Sequence, residues 1–411
     1  MLQLFKDYSI LQAWHFPVQG FTGKYIRITG GNMKITDSDI EQPVFTYNFK
    51  HNKEEILFFD IETTGLSPKA SSLYMIGAMF FNGSRGTWHL RQFFADNYNS
   101  EEEIIISFLE ILGRYNYLYH FNGRTFDIPY ILNKCEKHNI KPDSHCLSIL
   151  NDMYYKHSID LLALIRPLKK LLSIPKAGQA DLEKWLGINR EDKYNGGQLI
   201  SVYSQYMQYK IINSKKAAGL ESFLFLHNHD DIKHMLDICS LLSYREIFSG
   251  NCEIAITNIA PWHSGQNKYI NITFGHNMAI PKKITVTKQL PESREKTIPE
   301  NSILLTSNIL LTLKEDTAIL SVPLFYGNLK YFYPDYPASG CYSWKEGFFI
   351  PSATLQELKD SSQFYITYKD KTCFYAVPGR TINKKNPFWE NYVKLQLTAF
   401  VKMPGMCVNK R

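Results

Sequence analysis

The chain has 411 residues, of which 44% are hydrophobic and 21% charged, and a formal net charge of +7. That balance lies near globular averages and excludes wholesale disorder, while the length favours two domains over one core. No stretch reaches the ~18 consecutive apolar residues of a membrane span, and seven scattered cysteines without a Cys-x-x-Cys pair suggest reduced thiols in a cytoplasmic protein, not disulfides or a zinc site.

In chain order, residues 1–51 contain Tyr25 to Ile35, which reads as a hairpin around Gly30-Gly31. This extension is expected to pack on the domain that follows. Residues 52–250 alternate strand and helix patterns, as a mixed α/β sheet requires. Strands are predicted at Phe58-Phe59, Leu73 to Phe81, Trp88 to Phe94 and Tyr117 to Phe121, and a helix at Glu101 to Leu112.

Acidic residues interrupt this domain at three places. The apolar run Ile56 to Phe59 leads into Asp60-Ile61-Glu62-Thr63-Thr64-Gly65-Leu66. Two residues apart on a strand share a face, so Asp60 and Glu62 point the same way, a costly arrangement without a cation between them. Asn122-Gly123-Arg124-Thr125-Phe126-Asp127 follows the fourth strand and enters a helix carrying Pro129 in its first turn. By itself Asp127 reads equally well as a helix N-cap. Asp160, before Leu161 to Ile165, reads as the cap of another helix. A long helix is predicted from about Ser222 to Phe248, where His227 and Asp231 stand at i and i+4 on one face. Asp230 is rotated about 100° from Asp231, so it is expected to be exposed or to support the site from outside. His229 is expected to be solvated.

Past residue 250 the pattern becomes short β runs separated by turns: Tyr269 to Phe274, Lys283 to Thr287, Ile303 to Thr312, Thr317 to Val322, Gln363 to Tyr368 and Tyr392 to Leu397. Residues 255–411 are therefore expected to form a β-rich domain. Residues 251–411 hold 19 Lys and Arg against 12 Asp and Glu, while the first 250 residues hold 27 of each, so the whole positive excess is C-terminal. Such a region suits a phosphate backbone. Lys330 to Tyr336 interleaves basic and aromatic residues, as a stacking surface or an ordinary β core would.

Taken together, Asp60 to Leu66, Phe121 to Asp127 and His227 to Asp231 resemble the motifs of the DEDD-superfamily 3′–5′ exonucleases, most closely the bacterial YprB-like family. The resemblance covers roughly residues 52–250 and extends through Ser158 to Leu162 and Leu186 to Arg190. It implies a ribonuclease H-like fold with a mixed sheet flanked by helices. It also implies two Mg²⁺ or Mn²⁺ ions on Asp60, Glu62, Asp127 and Asp231, with His227 as general base. Oxygen ligands suit such hard ions, and a pair of them can hold the attacking and leaving oxygens of a phosphodiester. Three residues separate His227 from Asp231, the spacing of superfamily members that use tyrosine, whereas histidine members use four. Thr63, Leu66, Asn122 and Phe126 would bind the substrate, Leu66 either against the terminal bases or as plain core packing. The implied activity is hydrolysis of DNA from the 3′ end in repair. An RNA exonuclease using the same acids and a non-catalytic nucleic-acid-binding module are the alternatives. A helicase partner is implied only by the family's repair role.

Overall fold

The computed structural model describes residues 24–26, 33–192, 196–265, 267–289, 308–325, 340–343, 348–351, 364–366, 374–376 and 388–401. The chain divides into two compact units, Met1–Arg166 with Ile174–Leu242 and Pro167–Ser173 with Ser243–Arg411.

The N-terminal unit is built on seven strands: β1 (Lys24–Ile26), β2 (Met33–Ile40), β3 (Ile56–Thr63), β4 (Leu73–Asn82), β5 (Thr87–Ala95), β6 (Tyr117–His120) and β7 (Ser158–Asp160). They lie in the order β1-β2-β5-β4-β3-β6-β7. Pairing is antiparallel from β1 across to β3, then parallel from β3 to β6 and from β6 to β7. The hairpin expected near the N-terminus is present, since β1 pairs with β2 in the register Ile26 to Ile35 and extends the edge of this sheet.

The central strand β3 is apolar on both faces, and Ile56, Leu57, Phe58 and Phe59 are fully buried. Continuous hydrophobicity of this kind marks a strand covered on both sides. Helix α1 (Glu101–Leu112) packs one face, with Phe108 stacked 5.2 Å from Phe59. The remaining helices of the unit are α2 (Asp127–Lys137), α3 (Ser144–Leu150), α4 (Leu161–Ile165), α5 (Gln179–Leu186), α6 (Gly196–Ile212) and α7 (Ser214–Cys239). Helix α7 crosses the other face, with Phe225 against Phe94 and the Phe225 carbonyl accepting from Gln92 Nε2 at 3.0 Å. Gly77 of β4 makes this approach possible. A Cβ there would stand 2.1 Å from Ile232 Cδ1 and 2.3 Å from Asn228 Oδ1.

The predicted helix from 222 to 248 is two helices, α7 and α8 (Leu242–Ser249). Ser240 ends the first: its amide donates to the Asp237 carbonyl at 3.0 Å and its hydroxyl donates to the same oxygen. Serine competes with helical hydrogen bonds in this way.

The C-terminal unit contains a second seven-stranded sheet, separate from the first. Its strands are β8 (Ile254–Ser264), β9 (Asn267–His276), β10 (Ile284–Gln289), β11 (Asn308–Lys314), β12 (Thr317–Phe325), β15 (Phe364–Ile366) and β16 (Phe374–Ala376), while β13 (Gly340–Ser343) and β14 (Phe348–Pro351) pair on their own. Pairing is antiparallel except between β12 and β16. The strand expected at Tyr392 to Leu397 is instead helix α9 (Phe388–Thr398). Trp389, Tyr392, Val393, Gln396 and Leu397 are its buried residues, spaced i, i+3, i+4, i+7 and i+8. That is the stripe of an amphipathic helix, and a short run with Tyr, Val and Leu hid it. Lys330 to Tyr336 lies outside the described residues, as do residues 303–307 of an expected strand.

Candidate active site

The sheet order reverses at β3, which has an antiparallel neighbour on one side and a parallel one on the other. Crevices at such reversals, outside the carboxyl ends of parallel strands, are where open α/β sheets bind ligands. Asp60 and Glu62 occupy the end of β3. The pairing with β4 slips between Glu62 and Thr63, a bulge that re-aims the strand beside the acids.

Asp127 reaches the same place through a tight turn after β6. Asn122 sits in the left-handed region at φ 63, and its amide donates to Asp160 Oδ1 at 3.1 Å. The Gly123 amide donates to His120 Nδ1 at 3.0 Å, and a Cβ on Gly123 would lie 2.7 Å from that nitrogen. His120 is buried and bonded through Nε2 to Ser158 Oγ at 2.9 Å. Burial holds its pKa down to about 4, so the imidazole stays neutral and can accept at Nδ1. Asp127 is then the first residue of α2, and Phe126 is the cap. Its carboxylate does not cap the helix but accepts the Ile61 amide of β3 at 3.3 Å. Asp160 does cap α4, through the Ala163 amide, in addition to holding Asn122.

Helix α7 supplies the rest. Asn228 Nδ2 donates to Asp60 Oδ2 at 3.0 Å while its Oδ1 accepts from Gln92 at 2.9 Å, so a buried amide clamps the first acid to the sheet. One residue earlier, His227 places Nε2 3.7 Å from Glu62 Oε1 and 3.2 Å from Asp231 Oδ2, with Nδ1 2.6 Å from Asp192 Oδ2. Asp231 divides its oxygens: Oδ2 faces His227, and Oδ1 pairs with Arg190. Asp230 is buried, not exposed, and its Oδ2 accepts the Glu191 and Asp192 amides at 3.1 and 3.0 Å. His229 is half-buried beside Asp230. Asn228, Asp192 and Arg190 are neighbours of the acids to which the sequence gave no role. Only the Asn of His-Asn-x-x-Asp gave a local signal.

Electrostatics tie the four acids together. Asp60 is pushed well above the usual carboxylate range by burial and then by Asp127, Asp231 and Glu62. Burial raises Glu62 to about 8 even against the favourable charge of His227. Asp127 rises to about 7, chiefly through burial, despite the Ile61 amide. His227 moves the other way from what burial alone would do: Glu62, the hydrogen bond to Asp192, and Asp231 raise it to about 9. Among the described residues, Glu62, His227 and Asp231 each offer a ligand atom within 4.8 Å of the others. Buried, mutually repelling oxygen donors are what a divalent cation relieves, so the donor set fits such an ion.

Of the expected substrate residues, Leu66 is 84% exposed, which removes core packing as its role. Thr63 Oγ1 donates to the Gly65 carbonyl at 2.9 Å and shapes the turn that presents Leu66. Asn122 Oδ1 accepts from Thr125 Oγ1 at 2.9 Å, and Phe126 is partly buried, 5.5 Å from the Tyr130 ring.

Residues 57–243 match the family model described as RNase_H superfamily. The N-terminal unit carries a ribonuclease H-like fold, a mixed sheet flanked by helices. The DNA polymerase of Ostreid herpesvirus 1 (isolate France) is 37% identical over 49 residues, which are 11% of this chain and 3% of that protein. Among solved structures, the family B DNA polymerase from the hyperthermophilic archaeon Pyrobaculum calidifontis aligns over 47% of this chain and 25% of its own at 14% identity, with a TM-score of 0.36. E. coli exonuclease I in complex with a dA16 oligonucleotide aligns over 54% of each chain at 14% identity, with a TM-score of 0.26. The chain thus spans about half the length of exonuclease I and far less of the polymerases. No helix among the described residues is long and apolar enough to cross a membrane.

Proposed function

We propose that the protein is a metal-dependent 3′–5′ exonuclease acting on DNA. The observation that carries this reading is the convergence of Asp60, Glu62, Asp127 and Asp231, from one strand and two helices, into a single cluster of mutually repelling carboxylates. Binding nucleic acid alone gives no reason to gather four carboxylates, two of them buried, because phosphates are attracted by cations and repelled by carboxylates. Asp60, Glu62, Asp127 and Asp231 would hold two Mg²⁺ or Mn²⁺ ions, which when bound supply charge stabilisation and a low-pKa water at a phosphodiester. Asn228 holds Asp60 in place and the Asn122–Phe126 turn holds Asp127. His227, through Nε2, would take the proton of the attacking water once cations offset the Glu62 and Asp231 charges that hold its pKa at about 9 without metal. Thr63, Leu66, Asn122 and Phe126 border the site where the terminal nucleotide would lie, with the exposed Leu66 against its base.

The narrower attributes, which are DNA as substrate, 3′ polarity, a repair role and a helicase partner, rest on the resemblance to YprB-like proteins. The basic C-terminal region is assigned to backbone binding on its charge. A second reading has a specific observation in its favour: with three ligand atoms within 4.8 Å, His227 Nε2 would itself ligate a cation alongside Glu62 and Asp231.

The test is degradation of end-labelled single- and double-stranded DNA and RNA with and without Mn²⁺, using the wild type, Asp60→Asn and His227→Ala. A ladder shortening from the 3′ end, abolished by Asp60→Asn in a folded protein, supports the nuclease. Absence of cleavage on every substrate overturns it. Retained Mn²⁺ affinity in His227→Ala supports the base over the ligand reading.

A further inference from the structure

We propose that Asp192 is the positioning residue for His227, held in place by the short segment Arg190–Asp192 docked along one turn of α7. The inference rests on the nuclease reading above and concerns residues which that reading does not use. Asp192 is buried, and its Oδ2 lies 2.6 Å from His227 Nδ1. The opposite ring nitrogen faces Glu62 and Asp231 at 3.7 and 3.2 Å. An imidazole with Nδ1–H donated to a carboxylate has its ring plane fixed, which keeps Nε2 turned toward the acids and whatever lies between them.

The segment that carries Asp192 has little freedom to shift. The main-chain amides of Glu191 and Asp192 both donate to Asp230 Oδ2, Arg190 pairs with Asp231, and its other guanidinium nitrogen stands 3.5 Å from Glu183. Contacts at 227, 230 and 231 therefore lock three positions within one turn of α7 to a loop that contributes nothing to the sheet. Packing alone gives no reason for this, because an aspartate buried here loses hydration that an apolar side chain never had. What the carboxylate adds is direction and charge. A proton taken from water at Nε2 leaves Nδ1–H in place, and the Asp192 carboxylate offsets the charge of the imidazolium until that proton is released.

The test uses the full chain with Mn²⁺ and end-labelled single-stranded DNA, comparing wild type, Asp192→Asn, His227→Ala and the double variant. Asparagine preserves shape but can donate to Nδ1 and select the wrong tautomer, so kcat should fall about 10²–10⁴-fold with KM within about threefold. In the His227→Ala background Asp192→Asn should cost nothing further. Asp192→Glu, which keeps the carboxylate, should recover part of the loss. Two-bond proton–nitrogen spectra of the metal-free protein, assigned by difference against His227→Ala, supply a readout independent of turnover. The His227 cross-peaks should change pattern in Asp192→Asn while amide exchange across Ile56–Thr63 stays as in wild type. Unchanged kcat with an unchanged His227 signal overturns the proposal, as does an equal loss in the His227→Ala background. If the wild type cleaves no nucleic acid, the nuclease reading falls, and the spectra alone still decide whether Asp192 sets the His227 ring.

Discussion

Replacing Asp127 with asparagine should stabilise the metal-free protein at high pH and leave it almost unchanged at low pH. Asp127 is buried among acids, and its pKa stands at about 7 in place of 3.8. A folded pKa above the unfolded one means the folded state holds the proton longer. The contribution of Asp127 to wild-type stability therefore falls as pH rises from about 4 to about 7 and levels off beyond. The full span, at 1.36 kcal/mol per pH unit, is about 4 kcal/mol for one ionised group. Redistribution of protons to Asp60 and Glu62 takes up part of it, and an anion in the first turn of α2 contributes roughly 0.5 kcal/mol that asparagine forfeits. Asparagine Oδ1 can still accept the Ile61 amide, so the net gain at about pH 8 should be about 1–2 kcal/mol, vanishing near pH 4. The measurement is amide exchange of peptides spanning Ile56–Thr63 in chelator at both pH values, followed by titration with Mn²⁺. The ion should stabilise the wild type at pH ~8 by RT ln(1 + [L]/Kd) and Asp127→Asn far less. A variant less stable than wild type at both pH values would show that Asp127 is held by its local hydrogen bonds and not opposed by its neighbours, and the argument for a cation would lose its main support.

Arg190→Met should lower Mn²⁺ affinity or turnover by about 10–100-fold, as loss of a group orienting a ligand commonly does, and calorimetry with a single-turnover assay would separate the two. Gly77→Ala should destabilise the N-terminal unit by about 1–3 kcal/mol, since its methyl meets Ile232 and Asn228, and urea denaturation would register it. Asn228→Ala should free Asp60 and remove one of the acceptors of Gln92, costing about 1–3 kcal/mol and most of the activity. Substituting glutamine at Lys283 and Lys314, exposed in the C-terminal unit, should flatten the log–log salt dependence of single-strand binding by about 0.7 for each phosphate these lysines neutralise. An unchanged slope, read by fluorescence anisotropy, would make those charges a solvated face.

The parts of the fold legible in the sequence were those where one period dominates. Ile56 to Phe59 announced a strand covered on both faces, and Asp60 and Glu62 then had to share a side. Leu73 to Phe81 and Trp88 to Phe94 were long enough to be unambiguous, and both lie in observed strands. Tyr392 to Leu397 was too short for the period to show, because the residue that fixes the helical stripe, Trp389, lies before it. Asp127 was ambiguous for a different reason. A carboxylate at the start of a helix caps it or leaves it according to the turn before it, and that turn depends on His120 and Asp160, which are close in space to Asn122 and Gly123 only after β6 and β7 pair. Asp192 carried no signal at all and Arg190 only the end of a matching segment, since their meaning lies in which face of α7 the loop meets.

Helix α7 is the element on which this geometry turns. Over five residues it directs His227 at Asp192 and Glu62, Asn228 at Asp60 and Gln92, Asp230 at the amides of Glu191 and Asp192, and Asp231 at His227 and Arg190. Positions 227 and 231 lie close to one line of the helix, 228 lies about 100° around it, and 230 lies about 60° to the opposite side of 227, toward the loop. A helix so engaged cannot rotate by even one residue without losing a clamp on Asp60 and a partner of His227 at once. Repulsion among the acids pushes outward on β3 and α2, and neither element carries a counter-charge of its own at the site. The resistance comes from His227 and Asn228 of α7 and from the guanidinium of Arg190, in the docked loop, against Asp231. It follows that changes on the buried face of α7, such as at Ile232 against Gly77 or Phe225 against Phe94, should act on the site by shifting His227 and Asn228.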